Sequence, residues 1–212
     1  MSRYGVEVRG DAVATSPPVR LEGMLHLASR SPRRSELLAR LGVDFGVLDI
    51  DIPEVRAVDE PAADYVRRVA REKAGAGLLQ VVAVPGAWVL GADTEVVIDG
   101  EVCGKPADAG DARAMLQRLS GRTHRVITSV SLVCAARELE AVSVSQVTFS
   151  ELDAGIVDWY VAGGEWQGKA GAYAIQGAAQ AFIADLQGSH SGVMGLPLHE
   201  TARLLQQSGL WP

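Results

Sequence analysis

The chain has 212 residues, 48% of them apolar and 22% charged, enough to bury one sizeable core or two small lobes of a globular protein. A net charge of -6 argues against a nucleic-acid coat or a membrane-surface binder, whose affinity rests on a basic face, so an anion site here has to be local and concave. The cysteines, Cys103 and Cys134, lack metal-ligand spacing and read as small core residues of a cytoplasmic protein, and the most apolar run, from Leu78 to Leu90, is too short and too interrupted to span a bilayer.

Residues 1–23 lack the apolar segment of a signal peptide and read as a loosely ordered extension with a turn at Ser16-Pro17-Pro18. Met24 to Ala28 has the composition of a buried strand and runs into a helix that Ser31 caps, Pro32 begins and Gly42 ends. Arg33 and Arg34 then fall in the first helical turn, at the positive end of the macrodipole, where cations cost stability unless an anion sits there. A strand, a tight turn and a helix N-terminus form a common phosphate site, and a guanidinium grips phosphate bidentately. The alternative is a surface helix whose arginines point into water.

Val47 to Ile52 reads as a short strand, and Asp59-Glu60-Pro61 opens a long helix to about Gln80 with Tyr65, Val66, Val69 and Ala70 on one face. Trp88 to Ile98 is an apolar strand, and Asp99-Gly100 turns it back into Glu101 to Cys103. A helix follows from Asp108 or Asp111 to Gly121, then a long hairpin of Val126 to Cys134 and Leu139 to Phe149. The remainder reads as a helix around Asp153 to Ala162, a Gly-rich stretch to Gly177, a strand near Phe182 to Leu186 and a final helix opened by Pro197. This order predicts an α/β or α+β fold on a sheet that is only partly parallel.

Two features point to chemistry. Asp93 interrupts an apolar strand in Gly91-Ala92-Asp93-Thr94, where a carboxylate needs a partner: backbone amides in a structural role, or a water or a metal in a catalytic one. The chain also uses 17 arginines but only three lysines, Lys73, Lys105 and Lys169, each in a segment that looks specialised. A lysine meets phosphate as a compact point charge, which a planar guanidinium does not replace. Gly104-Lys105-Pro106 is not a P-loop, because Gly100 and Gly104 are one residue too close and Pro106 stands where the magnesium-binding hydroxyl belongs.

Taken in order, Ser29 to Leu38, Gly91-Ala92-Asp93-Thr94, Glu101 to Pro106, Leu119 to His124, Lys169 to Gly177 and Gly195-Leu196-Pro197-Leu198 resemble the Maf family, from about residue 24 to the C-terminus. That resemblance implies residues 24–212 as one domain with an elongated α/β architecture of the inosine triphosphatase-like kind, a mixed sheet flanked by helices with a cleft between two lobes, and often a homodimer. It implies a nucleoside triphosphate pyrophosphatase dependent on a divalent cation, Mg²⁺ or Mn²⁺. Asp93 matches the proton acceptor; Ser29, Arg33, Lys73 and Lys105 match phosphate-binding positions; Glu54, with Asp93, matches the metal site. Arg34, Thr94 and Gln176 match the trio that marks the branch acting on dTTP and UTP. A Gln amide can donate to a uracil or thymine carbonyl and accept from N3-H, whereas guanine presents another edge. The chain departs from the family pattern at His190, Gly192 and Ala174. The alternatives are a 7-methyl-GTP pyrophosphatase and a nucleotide-binding regulator of cell division without turnover. A pure binder gains nothing from a carboxylate beside a polyanion.

Overall fold

A computed structural model describes residues 25–212; the expected extension over 1–23, and Met24, lie outside the described residues. The backbone is a seven-stranded mixed sheet in the order β2-β1-β3-β5-β6-β7, with β4 paired to β3 alone. Its strands are β1 (Leu25–Ala28), β2 (Gly46–Leu48), β3 (Trp88–Ile98), β4 (Glu101–Cys103), β5 (Thr123–Val133), β6 (Glu138–Phe149) and β7 (Ile183–Gln187). Helices α1 (Pro32–Ala39), α2 (Ala62–Gln80), α3 (Ala109–Leu119), α4 (Ala154–Ala162), α5 (His190–Met194) and α6 (Leu198–Ser208) connect and cover them. The fold is therefore the expected α/β class: β1 is parallel to β2 and β3, and the pairings among β3, β5, β6 and β7 are antiparallel.

Strand β3 organises the rest. One edge pairs with β5 from Val89 to Val97. The other is shared: β1 takes Trp88 to Gly91, β4 takes Val96 to Ile98, and among the described residues no strand lies beside 92–95 on that edge. The chain leaves β1 at this gap and turns into α1. The gap explains why the second strand is shorter than the expected Val47 to Ile52, since β2 can pair only with His26 to Ala28, where β1 stops.

Side chains alternate across β3, and the two faces meet different partners. Trp88, Leu90, Ala92, Val96 and Ile98 join Leu37 and Leu38 of α1, Leu116 and Leu119 of α3 and Leu204 and Leu205 of α6 in the main core. Val89 and Val97 face the other way, against Ala74 and against Tyr65, Val66 and Val69 of α2. Gly91 lies on that second face, where α2 comes very close. A Cβ at Gly91 would sit 2.6 Å from the Ala74 amide nitrogen and press on the Ala70 carbonyl oxygen.

Helix α5 and the short 3₁₀ turns at Ala170–Ala172 and Ala178–Ala181 have no counterpart in the sequence reading. Helix α5 spans only five residues, too few for a periodic pattern to emerge, and is fixed by Ser189, whose hydroxyl accepts from the Gly192 amide.

Gly91→Ala should destabilise the protein by about 3 kcal/mol, at the upper end of the usual cost of overpacking, because its methyl meets helix backbone rather than a movable side chain. Urea unfolding measures it, and an unchanged midpoint would mean that α2 yields freely at this contact.

Candidate active site

The gap in the β3 edge opens into a cleft of about 560 Å³, in the size range of small-molecule sites. It gathers Ser29, Arg33, Arg34, Glu54, Lys73, Asp93, Thr94, Lys105 and Gln176, the residues that the sequence marks as site candidates.

On the α2 side, Asp93 is only 6% exposed, and its partner is a lysine rather than the backbone amides a structural aspartate would take. Lys73, brought in by the close approach at Gly91, donates to Asp93 Oδ1 at 2.8 Å and pairs with Glu54 Oε1 at 2.6 Å. Lys105, at the start of the loop after β4, donates to Glu54 Oε2 at 2.7 Å. Burial opposes the charge of Glu54, but the hydrogen bonds from Lys105 and Lys73 prevail and hold its carboxyl down at about 2. Asp93 Oδ2 is buried and has no partner among the described residues.

Glu95 completes this face and went unnoticed in the sequence. It lies two residues beyond Asp93 on the same side of β3, lines the cleft, and leaves Oε2 buried without a partner. Burial first, and the charge of Asp93 next, push its carboxyl up to about 8. The signal was available, since period-two alternation sets any charged residue at 95 beside Asp93.

The opposite wall is cationic. Ser31 occupies the N-cap of α1 but makes no side-chain capping bond, which leaves the Arg33 amide without the usual acceptor. Arg33 Nε donates to the Met194 carbonyl at 3.4 Å, and Arg34 Nε to that of Gly195 at 2.8 Å, so α5 and the turn after it aim both guanidinium groups. Arg34 also reaches the Thr94 hydroxyl at 3.3 Å, which lies 3.0 Å from that of Thr128. Burial lowers the pKa of Arg33, which the neighbouring Arg34 depresses further, and lowers that of Lys169, where Arg33 adds repulsion. Among the described residues none of Arg33, Arg34 and Lys169 forms an ion pair, although the chain's exposed arginines commonly do. The two arginines expected at the start of α1 thus line the cleft.

The third wall is the segment after Lys169. Gly171 donates to the Gly104 carbonyl at 3.1 Å and so ties this segment to the Lys105 loop. Tyr160 accepts from the Ala174 amide at 3.0 Å, and Glu165 from the Ala178 amide at 2.9 Å, on either side of Gln176. Gln176 is exposed at the rim and makes no hydrogen bond among the described residues. Glu165 was also missed, and no periodicity marks it. Beneath them, His124 Nε2 meets the Tyr173 hydroxyl at 2.8 Å inside an aromatic cluster with Phe149 and Phe182.

Fold and cleft together define a mixed α/β protein with a cationic strand-to-helix turn facing a buried carboxylate. The chain belongs to the Maf family: the family of Maf-like proteins matches residues 24–208. A Xanthomonas euvesicatoria pv. vesicatoria protein called dTTP/UTP pyrophosphatase is 60% identical over 188 residues, 88% of this chain and 99% of that protein. A Xylella fastidiosa protein called nucleoside triphosphate pyrophosphatase is 57% identical over 183 residues, 86% of this chain and 97% of its own. Among solved structures, the Staphylococcus aureus Ham1 protein superposes on 59% of this chain and 71% of its own, with a TM-score of 0.41 and 12% identity. No helix among the described residues is long and apolar enough to cross a membrane.

Burial holds the imidazole of His124 down at about 4, whereas an unfolded one takes its proton near 6.5. The folded state thus binds fewer protons between these values. Stability should be full above pH 6.5 and decline as the pH falls toward 4, by up to about 3 kcal/mol. Urea midpoints at about pH 7 and about pH 4.5 test this, and His124→Phe should lose much less than the wild type between them.

Proposed function

We propose that this protein hydrolyses the α–β phosphoanhydride of dTTP and UTP, giving the nucleoside monophosphate and pyrophosphate. The observation that carries this reading is the pairing, across one cleft, of unneutralised Arg33, Arg34 and Lys169 with a buried carboxylate that has one oxygen free. The names carried by relatives of about 60% identity support the nucleotide class.

In this reading Asp93 is the proton acceptor. Lys73 fixes Oδ1, and the free Oδ2 takes the proton of a water as its oxygen bonds to the α-phosphorus. The bond to the bridging oxygen breaks on the far side, and the pyrophosphate leaves with its electrons. Ser29, Arg33, Lys73 and Lys105 bind the phosphates, where preorganised cations stabilise the charge as it grows on the leaving group. Lys73 and Lys105 are held in advance by Glu54, so little reorganisation remains when the nucleotide arrives.

The donor set also suits a divalent cation, Mg²⁺ or Mn²⁺. Asp93 offers a buried oxygen without a partner, whereas both oxygens of Glu54 are engaged by lysines and one would have to be released. When bound, such a cation would polarise the phosphoryl oxygens and offset their charge beside the carboxylates. The same family reading carries a homodimer, which sedimentation in solution tests.

Asp93→Asn keeps the shape of the residue but cannot accept the proton, so pyrophosphate release should fall at least ~100-fold with the fold intact. Near-normal turnover would move the base to another residue.

Arg34, Thr94 and Gln176 read the base in this proposal, with the free Gln176 amide matching the C4 carbonyl and N3-H of uracil or thymine. Cytosine reverses both groups, and a mismatched buried hydrogen bond costs about 1 to 3 kcal/mol. UTP and dTTP should therefore be preferred over CTP by ~10-fold to ~100-fold, and Gln176→Ala should narrow that gap in kcat/KM. An unaltered ratio would remove Gln176 from base selection.

A further inference from the structure

Glu95 has no hydrogen bond and no ion pair among the described residues, yet its Oε2 is shut away from solvent. A carboxylate in that position is costly unless something meets it. The nearby ammonium groups are already committed, Lys73 to Asp93 and Glu54, and Lys105 to Glu54. Tyr65, the neighbouring phenol of a smaller recess that Glu95 shares with Glu54 and Lys105, forms no hydrogen bond to it. Asp93, 94% buried in turn, presents a second orphaned oxygen on the same strand face, two residues away.

We propose that Glu95 and Asp93 together form a divalent-cation site, each contributing the oxygen it leaves without a partner, Asp93 Oδ2 through the lone pair that the attacking water does not use, with the nucleotide's phosphates completing the shell. This rests on the pyrophosphatase reading above and adds to it a ligand that the sequence did not suggest. Magnesium and manganese in phosphoryl-transfer sites are held by one or two carboxylates plus substrate phosphates, rather than by closed protein cages. An i, i+2 pair on a strand is well suited to this. The two Cα atoms lie about 6.6 Å apart on one face, close enough for two carboxylates to converge on one ion. Glu54 is then free to keep its lysines in place. The commitment of the nearby lysines to Asp93 and Glu54 makes sense in the same terms: among the described residues no side chain takes the oxygen that the metal would use.

Binding of Mn²⁺ to the full chain tests the proposal, followed by the loss of the free-ion electron paramagnetic resonance signal, alone and with α,β-imido-dUTP. Glu95→Gln keeps size and shape and removes the charge. It should weaken Mn²⁺ binding about 10-fold or more, with the larger effect when the nucleotide analogue is present, and Glu95→Asp should restore most of it. The melting temperature of metal-free Glu95→Gln should equal or exceed that of the wild type, since the substitution breaks no hydrogen bond or ion pair among the described residues. Equal Mn²⁺ affinity in wild type and Glu95→Gln would overturn the assignment while leaving pyrophosphate release from UTP untouched as evidence for the reaction. A lower melting temperature of the metal-free variant would also overturn it, by giving Glu95 a structural part. Loss of Mn²⁺ binding in the variant, in a wild-type protein that releases no pyrophosphate, would support the metal site and remove the pyrophosphatase reading instead.

Discussion

Lys73 is a buried ammonium held between two carboxylates, and the geometry of the cleft depends on it. Removing such a charge from water is expensive, and only close, well-directed partners offset the cost. Those partners come from separate parts of the chain: Glu54 from the segment after β2, Asp93 from the middle of β3. Lys73 reaches them because α2 lies directly on the strand where Gly91 has no side chain. The contact therefore couples the packing of a helix to the position of a carboxylate. Lys105 extends the chain of alternating charges to the loop after β4, and the Gly171 to Gly104 hydrogen bond carries the restraint on to the segment bearing Gln176.

The cleft separates charge by wall. Cations and carboxylates alternate and neutralise each other on the α2 side, whereas Arg33, Arg34 and Lys169 face the space with uncharged carbonyl and hydroxyl oxygens for company. Carbonyl dipoles orient a guanidinium without cancelling its charge. The field in the cleft is thus positive on one side despite a net charge of -6 for the chain. A local, concave anion site in an acidic protein needs just such a separation.

Much of this could be read from the sequence because several signals agreed. Pro32 and the arginines after it marked the start of α1, Asp93 stood out against its apolar strand, and long alternation marked β5 and β6. What could not be read has physical causes. The end of β2 is set by where its neighbour β1 stops, a fact about pairing and not about residues 49–52. Helix α5 is held by a cap and by tertiary contact, as when Thr128 donates to the Gly192 carbonyl at 2.8 Å. Glu165 accepts from one backbone amide, that of Ala178 thirteen residues on, which no local pattern encodes. Glu95 was legible in principle, but attention to Asp93 as a lone charge hid the alternation that makes them a pair.

Asp93 and Thr94 are adjacent in sequence yet stand on opposite faces of the sheet, one with α2 and the other with α1 and α5. Under the proposed roles, the proton acceptor and one of the base-reading groups take odd and even positions of a single strand. Substitutions at even positions can retune which nucleotide is accepted while the hydrolytic apparatus keeps its own packing. An insertion of one residue in β3 would exchange the two sets at once. The strand thus tolerates divergence by replacement and forbids it by change of length, whereas the segment bearing Gln176 lies outside any strand and is free of that constraint.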